Sequence, residues 1–225
     1  MPSLPKTSRS GSRGEPEKTR AAILRAALKE FAHEGVAGGR IDEIARSAGV
    51  NKALLYYYFK DKEGLYAAVL EQVFAGLSEK VLAVLDREDL ACREKLLLYA
   101  QMHFDYIASS PLFPRLVQRE FMRSGRSSFV ASRMIERHAR PVYTKMMKLL
   151  AEGAESGDFR PVDPAQALTS ILGVIAFYFI SIPAQQLMGH SDPFSPAHIA
   201  ARRQAVLDFI SSAVFSQRPQ KSKCK

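Results

Sequence analysis

Along most of the chain apolar residues return every three or four positions, the period that lines one face of an α-helix, and no stretch shows the sustained alternation of a half-buried strand. The pattern predicts an all-α fold. Ile23, Ala26, Ala27 and Phe31 form an apolar stripe over 16–33, which Gly35 ends, and Gly38 and Gly39 then loosen the connection. Ile41, Ile44, Ala45 and Ala48 keep the same spacing through a short second helix, and Gly49 is suited to the left-handed conformation that closes it in a tight turn. Asn51 is a favourable N-cap for a third helix over 52–58, because its side chain accepts a hydrogen bond from an otherwise unpaired backbone N–H. Asp61 caps a fourth in the same way, carrying Leu65, Val69, Val73 and Leu77 toward Leu85. Further helices are expected over 92–108, 111–122, 129–155, 164–187 and 196–215, with Pro111, Pro164 and Pro196 at starts, where a missing N–H costs little.

This punctuation divides the 225 residues into a flexible basic arm (1–15), a small unit of short helices (16–66), a larger helical domain (67–216) and a basic tail (217–225). The formal net charge of +9 suggests a polyanionic partner, either nucleic acid or an acidic membrane surface. Cys92 and Cys224 are too few for a disulfide framework, so both are expected as free thiols in a reducing cytoplasm. The first 15 residues lack the apolar core of a secretory signal. Residues 165–189 carry no charge, which is long enough for a membrane span, but Thr169, Ser170, Ser181, Gln185 and Gln186 interrupt the run and Pro183 ends or kinks it. A helix apolar on every side also suits a buried subunit interface, and that reading, without a membrane, is adopted.

Two short helices joined through Ala48, Gly49, Val50 and Asn51, braced by a preceding helix, meet the requirements of a helix-turn-helix, whose second helix enters the major groove of DNA. Ile41-Asp42-Glu43-Ile44-Ala45, Ala48-Gly49-Val50-Asn51-Lys52 and Leu55-Tyr56-Tyr57-Tyr58-Phe59-Lys60-Asp61-Lys62-Glu63-Gly64-Leu65 closely resemble the signature of the tetracycline-repressor (TetR) family. The likeness covers about residues 17–66. The stretch from Arg160 to Pro164 and the apolar helix after it also look like one multidrug-regulator branch of that family. The resemblance implies phosphate contacts from Tyr56, Tyr58 and Lys62, for which phenol hydroxyls and an ammonium are well suited. Lys62 lies in the first turn of its helix, whose positive end favours an anion. Lys52, Ala53, Leu54 and Tyr57 project from the front of the recognition helix and are the candidates for base contacts. Leu55 and Phe59, four apart, should face inward with Ile44 and Val50 and turn Tyr56 outward. Where the family often has Thr or Ser, this chain has Gly39 and Arg40, so a capping hydroxyl is missing and Arg40 is the candidate to reach the DNA backbone instead.

In the larger domain, Tyr99, Met102, His103, Tyr106, Phe121 and His138 are candidates to line a pocket for a small-molecule effector, although aromatics and methionines at helical spacing also make ordinary core. Nine Lys or Arg against Glu120 and Glu136 over 115–148 fit either a solvated face or an anion site. The apolar helix with Thr169, Gly173, Ala176, Phe177 and Ile180, and the last helix with Val206, Phe209, Ile210 and Ala213, are expected to pair with their symmetry mates in a homodimer. The family resemblance implies the same. The chain offers no nucleophile with a base partner, no phosphate-binding glycine loop and no metal motif, so it is read as cofactor-free and non-enzymatic. The expected activity is that of a transcriptional repressor released from a palindromic DNA operator by its effector, with a DNA-binding protein lacking an effector as the alternative.

Overall fold

The computed structural model describes residues 16–110, 112–123, 129–189 and 192–217. The basic arm, nearly all of the tail and Pro111 therefore lie outside the described residues, as does the side chain of Phe121. The helices are α1 (Pro16–Gly38), α2 (Ile41–Ala48), α3 (Lys52–Phe59), α4 (Lys62–Leu85), α5 (Cys92–Ser109), α6 (Phe113–Arg123), α7 (Phe129–Met134), a π-helical turn (Ile135–Ala139), α8 (Arg140–Glu155), α9 (Pro164–Ile180), α10 (Ile182–Leu187) and α11 (Pro196–Val214). The only other pairing among the described residues is an isolated antiparallel bridge between Phe159 and Phe215. The all-α expectation holds, and none of the described helices is long and apolar enough to cross a membrane. The chain forms two compact units that divide inside α4, between Ala68 and Val69.

The first unit is built on the apolar stripe of α1. Ile23, Leu24, Ala27 and Phe31 are buried with Ile44 and Ala45 of α2, Leu55 and Phe59 of α3, and Leu65 and Tyr66 of α4. Each large side chain enclosed in this way contributes roughly 1.5–3 kcal/mol. Phe31 meets Tyr66 edge to face at 5.2 Å, a favoured aromatic geometry. Gly35 does not stop α1 as expected. It turns the chain with φ 70° and ψ 175°, a region open essentially to glycine alone, and another turn follows to Gly38. Nor is the Gly38-Gly39 connection loose, because Gly39 is packed so closely that a Cβ there would lie 2.8 Å from the Phe31 ring.

In the second unit α5 touches α8, α9 and α11, and Leu96, Tyr99, Ala100, Phe104 and Ile107 are its buried residues. The helix expected over 129–155 and the run over 164–187 are each broken at a proline, the second as expected at Pro183, since a proline has no N–H to donate and its ring crowds the turn before it. Before Pro141 the backbone opens into the π-turn, and the His138 carbonyl accepts a hydrogen bond from Ser78 Oγ of α4 at 3.1 Å. Before Pro183 the break falls at Ser181, where Gln185 Nε2 donates to the Tyr178 carbonyl at 2.9 Å. The end of α11 is fastened by Arg160 N–H to the Val214 carbonyl at 2.8 Å and by the stacked rings of Phe159 and Phe215.

Candidate nucleic-acid interface and sensing region

The turn between α2 and α3 follows from three consecutive residues. Gly49 takes φ 70° and ψ 27° and donates to the carbonyls of α2's last turn, Val50 N–H reaches the Ala45 carbonyl at 3.0 Å, and Asn51 Oδ1 accepts from Leu54 N–H at 2.7 Å. Leu55 and Phe59 are thereby driven into the core, and the opposite face of α3 is presented to solvent. Lys52, Ala53, Tyr56 and Tyr57 are exposed there, Tyr57 to 81%, while Leu54 and Tyr58 are half-buried. Tyr57 and Tyr58 support one another edge to face at 5.5 Å.

Three cations of this surface, Arg40, Arg46 and Lys52, are held by carboxylates. Lys52 Nζ lies 2.9 Å from Asp42 Oδ1 and 3.3 Å from Oδ2, and this contact raises the pKa of the ammonium. Glu43 pairs with both Arg46 and Arg40, and the Arg46 guanidinium holds its carboxyl below the usual range. Arg40 is exposed and donates its backbone N–H to Glu30 at 2.8 Å; no side chain caps the start of α2. Lys62 Nζ donates to the Ala37 carbonyl at 2.9 Å, so it fastens the end of α1. The structure brings all eight DNA-contact candidates into this one small unit.

Sequence reasoning missed Lys60, which joins α3 to α4 with φ 63° and ψ −55°. Asp61 N–H bonds to the Phe59 carbonyl across it at 2.6 Å, which makes a γ-turn of the strained kind centred on a lysine. Asp61 Oδ1 then caps α4 by accepting from Gly64 N–H at 2.7 Å. The cap was readable from the sequence; the positive φ of a lysine was not.

Of the effector candidates, Tyr99, Met102, His103 and Tyr106 lie along α5. Tyr99 is buried and its hydroxyl shares a hydrogen bond with His103 Nδ1 at 3.1 Å. Burial raises the phenol's pKa and pushes the imidazole's down to about 4, so both groups are neutral near pH 7. Tyr106 donates to the Val73 carbonyl at 2.8 Å and stands edge-on to Phe113, which ties it into the packing of α4 and α6. His138 has other partners: its Nε2 lies 3.0 Å from Glu71 Oε1, which Arg137 also approaches at 3.1 Å. The other oxygen, Glu71 Oε2, is buried without a hydrogen-bond partner among the described residues.

The interface expectation needs correction at two positions. Val206 and Ile210 are buried in the chain's own core on α11, which packs against α5, and so are turned away from solvent. What α9 and α11 expose instead is Thr169, Leu172, Gly173, Phe177 (66%), Ile180 and Phe209 (57%), with Ala176 and Ala213 half-buried. Between these helices runs a groove of about 360 Å³ lined by Ile171, Val174, Phe209 and Ala213.

Comparison with known proteins adds to this geometry. The profile described as "Bacterial regulatory proteins, tetR family" matches residues 23–69, and that described as "Tetracyclin repressor-like, C-terminal domain" matches residues 93–210. The chain is similar to the HTH-type transcriptional repressor SCO4008 of Streptomyces coelicolor, 33% identical over 180 residues, which covers 79% of this chain and 88% of that protein. It is also similar to the HTH-type transcriptional regulator RutR of Escherichia coli O157:H7, 33% identical over 172 residues, covering 74% and 76%. Among solved structures, the transcriptional regulator SCO4942 from Streptomyces coelicolor superposes with a TM-score of 0.67 at 27% identity, covering 86% of this chain and 97% of that one.

Proposed function

We propose that this chain, which belongs to the TetR family of bacterial regulatory proteins, is a homodimeric transcriptional repressor that a small-molecule effector releases from a palindromic DNA operator. The observation that carries the reading is the α2–α3 turn, which buries Leu55 and Phe59 and offers Lys52, Ala53, Tyr56 and Tyr57 on one exposed face of a short helix. A helix so presented fits the major groove, with Lys52 donating to guanine O6 or N7 and Tyr56, Tyr58, Lys62 and Arg40 gripping phosphates. The repressor sign follows the Streptomyces coelicolor relative.

The exposed apolar side chains of α9 and α11 support pairing with a second copy, which would set two reading heads on the two halves of a palindrome. The neutral Tyr99–His103 pair on α5 offers polar contacts within an apolar setting, in keeping with the multidrug-regulator likeness of 160–164 and with an effector that is mainly apolar and carries one or two polar groups. The effector must bind the conformation that does not fit DNA more tightly than the one that does.

A gel-shift experiment with palindromic duplexes from the DNA beside the gene tests the reading. Retardation of one palindrome at concentrations that leave a scrambled duplex free, reversed by an effector that also raises Tm, is the expected result. Equal retardation of every duplex would overturn it.

A further inference from the structure

Lys52 occupies the first position of α3, the end of a helix whose partial positive charge disfavours a cation. No acidic residue stands in the first turn of α3 to offset it. The compensation comes from Asp42, ten residues earlier in the first turn of α2, where a carboxylate is itself favoured. Both Asp42 oxygens hold the Lys52 ammonium, at 2.9 and 3.3 Å, and both side chains remain largely in solvent. An ammonium has three N–H groups, so one held from the side of α2 still has donors for a base edge. A lysine without this anchor would sweep a wide arc and settle on the nearest phosphate, which carries no sequence information.

We infer that Asp42 is a specificity-determining positioning residue: it aims the Lys52 ammonium at guanine and keeps it off the DNA backbone. The inference rests on the DNA-reading function proposed above. Asp42 contributes in two ways, by fixing where the ammonium points and by repelling phosphate, so its removal should raise indiscriminate binding while erasing a base preference.

The test selects duplexes from a randomised pool with the full-length wild-type chain and with Asp42→Asn, Asp42→Glu, Lys52→Ala and the Asp42→Asn/Lys52→Ala double variant. Affinities are then measured for the wild-type-selected duplex and a scrambled one over a series of salt concentrations. Circular dichroism checks that each variant is folded. For Asp42→Asn the selectivity ratio should fall about tenfold, at the low end of what one good base contact is worth. The slope of log affinity against log salt on scrambled DNA should steepen by about 0.9, the value of one further phosphate neutralised. Guanine should disappear from one position of each selected half-site. Lys52→Ala should lose the same preference, adding Asp42→Asn to it should lose no more, and Asp42→Glu should restore the preference. If Asp42→Asn tightens both duplexes by one factor and keeps the guanine, simple repulsion explains Asp42 and the inference is wrong. Unchanged selectivity in Asp42→Asn overturns it equally, while a wild-type chain that selects no sequence at all removes the DNA-reading function and the inference together.

Discussion

At Lys60 a residue with a Cβ is held at positive φ in a γ-turn, and its conformational cost is of order 1–3 kcal/mol. Lys60→Gly should therefore stabilise the protein by roughly 0.5–1 kcal/mol after the extra freedom of glycine in the unfolded chain is allowed for, which urea titration would detect. A fall in stability would mean the turn is not strained. His103 makes stability depend on pH. Its folded pKa lies below its unfolded one, so the unfolded chain takes up the proton first. Stability is complete above about pH 6.5 and is lost as pH falls toward about 4, by up to about 3 kcal/mol. The difference between wild type and His103→Leu, followed by thermal unfolding across that window, should show this slope on top of a constant loss from the abandoned Tyr99 hydroxyl. The Asn51 and Asp61 caps were legible in the sequence because their partners lie three residues away. The Asp42 grip on Lys52 was not, since it depends on how α3 packs against α2.

Hydrophobic period located the helices well but not their interruptions. Both prolines were visible, and Pro183 did break its helix, yet the π-turn before Pro141 was hidden because apolar spacing continues on either side of it. What holds that turn is also remote in sequence: Ser78 on the His138 carbonyl and Glu71 on the His138 and Arg137 side chains. Ser78 is itself buried. Ser78→Ala should leave the carbonyl without its side-chain donor and cost about 1–3 kcal/mol, measured by chemical denaturation. A loss no larger than that of an exposed serine would show the carbonyl is satisfied otherwise. The same limit explains Val206 and Ile210, which the last helix's stripe marked as apolar without saying which neighbour covers them.

For the whole molecule, the excess of nine Lys or Arg over two Glu in 115–148 overstated the bare positive surface of its described residues. Arg137 meets Glu71, Lys145 meets Asp86, Arg140 meets Glu136 and Lys148 meets Glu152, and two of those acids are distant in sequence. A solvated face with several of its cations paired is the simpler account of the described part of that region. The exposed side chains of α9 and α11 carry the quaternary expectation. Phe177→Lys should yield a monomer by light scattering with the helical signal intact, because a charge would be buried at the proposed contact between copies. An unchanged dimer would place the interface elsewhere. Tyr57 has a different use. The chain contains no tryptophan, and this ring stands almost wholly in solvent on the face assigned to DNA. Tyr57→Trp would give the protein a single indole fluorophore at that spot, so that changes in its emission would report the arrival of a duplex and its departure when effector is added, in real time and without a label.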